Sequence, residues 1–111
     1  LFIHEDRLED EALTGIVTEM AQHVGKEAFI RQQRAIMGRR DQSATLVTIQ
    51  VPTLVLCGRE DALTPLEDHK AMAAGIAGAR LVVIEDCGHL ATLERPDEVN
   101  QALRAWLRRE E

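Results

Sequence analysis

The chain has 111 residues, of which 45% are apolar and 29% charged, a composition typical of one globular domain. Its net charge is −6 and its acidic and basic residues are interspersed, so we expect no nucleic-acid partner. No apolar run approaches the roughly 18 to 20 residues that span a membrane, and no targeting segment is visible, so we predict no membrane association and a cytoplasmic location.

Two amphipathic helices are predicted in the first 40 residues. The first runs from about Leu8 to Val24 and is broken by Gly25, and the second runs from about Lys26 to Met37. In both, apolar residues recur three and four positions apart. Each helix therefore has one face that covers another surface.

A buried strand is predicted at residues 52–57, where Pro-Thr-Leu-Val-Leu-Cys forms a continuous apolar run that is closed by Gly58. The next helix is predicted to start with a capping box. Thr64 would be its N-cap, Pro65 its first residue, and Glu67 the partner that completes the box.

That helix is predicted to run to about Ile76 and to be followed by a second buried strand at residues 81–84. The strand–helix–strand spacing fits a right-handed βαβ unit, so the two strands should be parallel neighbours. A last helix is predicted from about Pro96 to Arg108, with Trp106 on its apolar face. The fold class is therefore α/β, with parallel strands flanked by helices.

Two loops leave the carboxyl ends of the predicted strands, where ligands and catalytic groups gather in parallel sheets. Residues 58–65 carry Asp61, and residues 85–90 carry His89. Neighbouring strands lie about 4.8 Å apart, which brings the carboxylate within hydrogen-bonding reach of the imidazole. Such a carboxylate orients the ring and stabilises the imidazolium, so both residues are candidate catalytic residues. The alternative for Asp61 is a turn or capping aspartate.

These motifs resemble a known family. Val-Pro-Thr-Leu-Val-Leu-Cys-Gly-Arg-Glu-Asp-Ala-Leu-Thr-Pro at 51–65, then Gly-His-Leu-Ala-Thr-Leu-Glu-Arg-Pro at 88–96 and a closing helix ending in Ala-Trp-Leu, look like the last third of α/β-hydrolase-fold enzymes. The resemblance covers residues 46–107 and implies a partial α/β-hydrolase fold. It also implies that Asp61 is the acid and His89 the histidine of a catalytic triad, in the family's chain order.

The resemblance further implies hydrolysis of an ester-like or related small substrate through a covalent intermediate, without a cofactor or metal. More weakly, residues 28–36 and the helix before them resemble the end of the lid that covers the active site in this family. The chain would then divide into a lid-like or cap-like segment at 1–40 and a C-terminal βαβα part of the core at 41–111. An ordinary pair of scaffold helices is the alternative.

The nucleophile expected in this family is absent from the sequence. No Gly-x-Ser-x-Gly motif occurs, and the only serine, Ser43, lies in a polar link before the first strand. We expect the nucleophile and further strands upstream of Leu1, and no triad-dependent turnover by this chain alone. The alternative is a non-catalytic binding or assembly module. Two strands that are hydrophobic on both faces cannot form a stable sheet alone. We therefore expect a homo-oligomer such as a dimer, or pairing with a missing N-terminal segment.

Other residues give weaker signals. Cys57 and Cys87 are too few for a disulfide framework, and free thiols are expected. Cys87 lies two residues before His89, but no helix N-terminus or adjacent cation would activate it as a nucleophile. A metal site formed by these cysteines with Asp61 and His89 is disfavoured because no closely spaced ligand pair is present.

The remaining polar residues near the loops are expected to be structural. Glu60 and Asp86 could replace Asp61 but are expected to face solvent, and Glu94 is placed near the N-terminus of the last helix, where a carboxylate is favourable. His4, His23 and His69 have no recognisable partners in the sequence.

Overall fold

The structure is a computed structural model that describes residues 1–109. The helices and strands of this range are α1 (Glu11–Val24), α2 (Lys26–Met37), β1 (Leu54–Gly58), α3 (Leu66–Gly75), β2 (Arg80–Ile84), α4 (Ala91–Glu94) and α5 (Pro96–Leu107). Two short 3₁₀ helices, Glu5–Arg7 and Ser43–Thr48, precede α1 and β1. None of the helices in residues 1–109 is long and apolar enough to cross a membrane.

The two strands are parallel neighbours, as predicted. Their register pairs Leu54 with Arg80 and Gly58 with Ile84, so both strands end at the same level. The crossover helix α3 packs against both strands, and α5 packs against β2. The loops after β1 and β2 therefore begin side by side at one edge of the sheet.

The first of the two N-terminal helices differs slightly from its predicted bounds. Helix α1 begins at Glu11 instead of Leu8, because the Asp10 carboxylate caps it by accepting a hydrogen bond from the Leu13 N–H at 3.1 Å. Helix α2 has the predicted bounds. Between them Gly25 adopts a φ of 82°, a left-handed conformation that favours glycine. This residue lets one amphipathic helix end and the next begin without a longer loop.

The predicted capping box at α3 is wrong. The helix begins at Leu66, with Pro65 at the N-cap position and no side-chain cap. The Thr64 hydroxyl instead donates a hydrogen bond to the Asp61 carboxylate at 3.0 Å. The physical reason is that Asp61 lies close enough to compete for the hydroxyl, and a carboxylate is a stronger acceptor than a neutral group. The helix also ends one residue early, at Gly75.

A small core lies under the end of β2 and holds the loop that follows it. Its buried members are Ile84, Cys87, Ala91 and Val99, with Leu56 and Val82 packed against them. Trp106, on the apolar face of α5, is half-buried and is not a member of this core. Many apolar side chains of α1 and α2 remain exposed in the described range, namely Ile16, Met20, Val24, Phe29, Ile30, Ile36 and Met37.

Candidate active site

Asp61 and His89 meet across the two loops at the carboxyl ends of β1 and β2. The Asp61 Oδ2 atom lies 2.9 Å from the His89 Nδ1 atom, which is hydrogen-bonding distance. The Asp61 side chain is 3% exposed, whereas the His89 side chain is 32% exposed. The carboxylate thus holds one ring nitrogen from the buried side, and the ring itself is partly exposed.

The second carboxylate oxygen of Asp61 stabilises the loop in which Asp61 lies. Oδ1 accepts hydrogen bonds from the backbone N–H groups of Leu63 and Thr64, both at 2.9 Å. Asp61 is therefore a turn aspartate and a partner of His89 at once. Burial raises the pKa of Asp61, but hydrogen bonds from Thr64, His89 and Leu63 outweigh it and hold the pKa below its usual value. These bonds keep the carboxylate ionised.

Thr64 is a member of the site that the sequence reasoning missed. Its hydroxyl lies 3.0 Å from Asp61 Oδ2 and 3.3 Å from His89 Nδ1. The available signal was its position three residues after Asp61, where a turn brings the hydroxyl back to the carboxylate. The cap predicted at Thr64 does not form.

The backbones of the two loops touch at their glycines. A Cβ atom at Gly58 would lie 2.2 Å from the carbonyl oxygen of Gly88, and one at Gly88 would lie 2.7 Å from the backbone nitrogen of His4. No side chain fits either gap. These glycines let the Asp61 loop, the His89 loop and the N-terminal segment pack together at the site.

Glu60 is exposed, as predicted, and it is also hydrogen-bonded to the neighbouring loop. Its carboxylate accepts a hydrogen bond from the Cys87 N–H at 2.8 Å, and its own N–H donates to the Cys87 carbonyl at 2.9 Å. The sequence around Glu60 does not show these bonds, because it is the strand register that brings the two loops opposite each other. Glu60 therefore ties the two loops together.

Glu94 also differs from its predicted role. It ends α4, and its fully buried side chain reaches the His89 loop. One carboxylate oxygen accepts from the His4 N–H at 2.7 Å, and both oxygens lie 3.1 Å from the Gly88 nitrogen. The unpredicted helix α4 turns this residue inward and places it beneath the loop.

His4 is buried and has partners, contrary to the expectation from the sequence. Its Nδ1 accepts from the Asp6 N–H at 3.0 Å, and its Nε2 lies 3.4 Å from Asp86 Oδ1. Asp86 is half-exposed and also binds Arg7 and Arg95, so it does not compete for His89. These partners lie far apart in the sequence, which is why the sequence did not reveal them. His23 is exposed and His69 half-buried.

Within residues 1–109, the one cluster of ligand atoms close enough to share a metal ion is His4, Asp6 and Asp86. Asp86 already faces two arginines there, which oppose a cation. The disfavoured combination of the two cysteines with Asp61 and His89 does not form such a cluster among the described residues.

A family model of the α/β hydrolases matches residues 3–102, nearly the whole chain. The chain belongs to the α/β hydrolase family. The match extends the region of resemblance through both N-terminal helices.

Several relatives support this family assignment. The chain is 39% identical over 83 residues to the 2-hydroxy-6-oxo-6-phenylhexa-2,4-dienoate hydrolase of Comamonas testosteroni, an alignment that covers 75% of this chain and 29% of the relative. It is 35% identical over 81 residues to a 2-hydroxy-6-oxononadienedioate/2-hydroxy-6-oxononatrienedioate hydrolase of a Pseudomonas species, covering 73% of this chain and 29% of the relative. The chain thus spans less than a third of these relatives.

Solved structures show the same fold. The enol-lactonase from Burkholderia xenovorans LB400 matches with a TM-score of 0.87 and 27% identity, over 96% of this chain and 41% of that one. A thermophilic esterase from Thermogutta terrifontis matches with a TM-score of 0.63 and 46% identity, over 65% of this chain and 26% of that one. This α/β hydrolase chain therefore has a partial α/β-hydrolase fold.

The two cysteines of this α/β hydrolase chain are buried free thiols. Burial raises the pKa of both, and for Cys87 it raises the pKa to about 11. A thiol with this pKa carries almost no thiolate at neutral pH, so Cys87 is unsuited to act as a nucleophile. Ser43 lies exposed at the start of a 3₁₀ helix, where its hydroxyl contacts the Asp41 carboxylate at 2.5 Å.

An apolar cleft of about 530 Å³ opens beside the histidine. Its apolar lining comes from both helices of the N-terminal segment, from the residue directly after His89 and from the start of the chain: Val17, Met20, Val24, Phe29, Leu90 and Phe2. The Phe2 and His89 rings lie 6.5 Å apart between centroids. A polar groove of about 780 Å³ between β2 and α5 is lined by neither Asp61 nor His89.

Proposed function

We propose that this chain supplies the acid and the base of a hydrolase that cleaves an ester-like or related small substrate. Asp61 is the triad acid, His89 is the triad base, and the nucleophile comes from outside these 111 residues. The observation that carries the proposal is the 2.9 Å contact between Asp61 Oδ2 and His89 Nδ1. It occurs at the sheet edge where parallel sheets gather their catalytic groups.

The chemistry follows from this contact. Asp61 accepts a hydrogen bond from the Nδ1–H of His89, which leaves Nε2 to take the proton of a nucleophile as that group attacks the substrate carbonyl. The resulting imidazolium is stabilised by Asp61 and returns the proton to the leaving group. A water molecule then repeats the sequence on the covalent intermediate and releases the acid product and the nucleophile. His89 is regenerated in each half-reaction.

We further propose that residues 1–40 are a lid that forms one wall of the substrate pocket. The support is the cleft between α1, α2 and Leu90, the residue directly after His89. Because the lining is predominantly apolar, the cleft suits an apolar substituent of the substrate. The relatives are named as hydrolases of a phenyl-substituted dienoate and of a dienedioate or trienedioate, and the solved structures as an esterase and an enol-lactonase, which supports a small carbonyl substrate.

A self-associating module is the second candidate function. It is favoured by the exposed apolar side chains of α1 and α2 and by the two-stranded sheet, which is smaller than an independently stable sheet usually is. Such a chain would retain the fold of a hydrolase and bind another protein surface instead of performing the chemistry.

The reading frame that precedes Leu1 discriminates between the two functions. A nucleophile motif of the Gly-x-Ser-x-Gly kind there would support the hydrolase, and an in-frame start near Leu1 would support the module. The isolated chain offers a second test. We expect it not to hydrolyse a p-nitrophenyl ester, and hydrolysis that is abolished by His89→Ala would show that the chain does not need an external nucleophile.

A further inference from the structure

We propose that Glu94 is a positioning residue for His89, an inference that rests on the proposed function of the histidine. Glu94 does not contact the imidazole or the reacting atoms. It acts through the backbone of Gly88, the residue directly before His89. The hydrogen bonds and the ion pair of its carboxylate support this role.

The Glu94 side chain is fully buried, and a buried carboxylate is costly unless its oxygens are hydrogen-bonded. Here the backbone N–H groups of His4 and Gly88 supply those bonds at 2.7 and 3.1 Å. The Arg7 guanidinium lies 3.4 Å away and supplies an opposite charge. The carboxylate is thus balanced by groups from two distant parts of the chain, and it holds those parts together.

The bond to Gly88 is one of a continuous series. All four backbone N–H groups of residues 87–90 donate hydrogen bonds. The Cys87 N–H donates to Glu60 and the Gly88 N–H to Glu94, while the next two donate to the Phe2 carbonyl at 3.1 and 3.0 Å. Because every donor in this stretch is occupied, the backbone that carries the imidazole has one preferred arrangement.

Glu94 holds the central position in this series. It binds Gly88 on one side and His4 on the other, and His4 belongs to the same N-terminal segment as Phe2. Losing the carboxylate would therefore loosen the Gly88 bond directly and the two Phe2 bonds indirectly. We expect the imidazole to move relative to Asp61 even though neither side chain has changed.

Glutamine is the sharpest substitution because it keeps the size of the side chain. Its amide has only one acceptor oxygen, so its NH₂ group would face the N–H of either His4 or Gly88. The matched control is Glu98→Gln, a substitution of the same chemistry at an exposed position in α5.

The experiment is NMR on the full chain with ¹⁵N-labelled histidine. It measures the rate at which the Nδ1 proton of His89 exchanges with water, while circular dichroism reports the fold. In Glu94→Gln we expect this exchange to accelerate by about tenfold or more, because the hydrogen bond from Nδ1 to the charged Asp61 carboxylate is weakened or lost. In Glu98→Gln we expect the wild-type rate. A folded Glu94→Gln chain that keeps the wild-type rate would overturn the positioning role.

Glu94→Asp covers the case in which Glu94→Gln does not fold. Aspartate keeps the charge but shortens the reach, so a folded Glu94→Asp chain should show faster Nδ1 exchange. Wild-type exchange in that variant, or unfolding of both variants, would overturn the proposal, since Glu94 would then be a general stability residue. Because the measurement involves no turnover, it can succeed even if His89 is not the catalytic base, which is tested separately by activity.

Discussion

The Nδ1 atom of His89 and the Oδ2 atom of Asp61 are 2.9 Å apart although the residues are 28 positions apart in sequence. The in-register parallel pairing of β1 and β2 brings them together, because both strands end at the same level. The contact therefore depends on the sheet, on the glycines that let the loops meet, and on the acidic residues that hold the His89 loop.

The acid-range stability of the protein should depend on Asp61. Its pKa in the folded state lies below the usual value of an aspartate. A group with a lowered folded pKa contributes stability above its unfolded pKa, and this contribution is lost as the pH falls through the folded pKa. We expect urea unfolding to show decreasing stability below about pH 4, with a smaller decrease in Asp61→Asn. Asp68→Asn, at an exposed aspartate of α3, is the control and should behave like the wild type.

Gly58→Ala should strongly destabilise the fold. The added Cβ would lie 2.2 Å from the Gly88 carbonyl oxygen, so the Asp61 loop and the His89 loop would have to separate. We expect a loss of about 3 kcal/mol or more in the free energy of unfolding, at the upper end for overpacking. Gly15→Ala is the control, since no atom lies within 4 Å of its added Cβ and alanine favours the helix. Equal stabilities of the two variants would contradict the close loop packing.

Phe29→Ala should weaken binding of substrates that carry an apolar group. Phe29 lines the cleft beside His89. In the intact gene product we expect KM for a long-chain or aromatic ester to rise roughly tenfold, as expected for loss of a large apolar contact, with a smaller effect on an acetate ester. Ile36→Ala changes an exposed apolar residue of α2 outside the cleft lining and serves as the control. An equal effect on both esters would argue against a substrate cleft at this position.

The isolated chain should self-associate. Its sheet has two strands in the described range, and the apolar residues of α1 and α2 are exposed. Burying these surfaces in a second copy is favourable because it removes apolar area from water. Size-exclusion chromatography with light scattering should give at least a dimer, and a clean stable monomer is the result that would refute this prediction.

Much of the fold could be predicted because it depends on local patterns. The apolar periodicity between Gly25 and Gly38 determines α2, and the continuous apolar runs at 52–57 and 81–84 determine the two strands. Their spacing predicts the parallel pair, and from it the approach of Asp61 to His89. The 3₁₀ helix at Ser43–Thr48 has too few turns to show a periodic pattern.

The supporting residues of the site could not be predicted, because their partners are backbone groups. The sequence does not reveal that Glu94 binds the N–H of His4, 90 positions away. The sequence predicts Thr64 as a helix cap, but its hydroxyl donates a hydrogen bond to the charged carboxylate of Asp61 instead.

The most direct test of the central proposal is hydrolysis of a p-nitrophenyl ester by the intact gene product and its His89→Ala variant. His23→Ala, at an exposed histidine of α1, is the control for loss of an imidazole. We predict that His89→Ala lowers kcat by at least about 10⁴-fold while the fold and the His23→Ala activity remain unchanged. Wild-type turnover in a folded His89→Ala variant would contradict the assignment of His89 as the base.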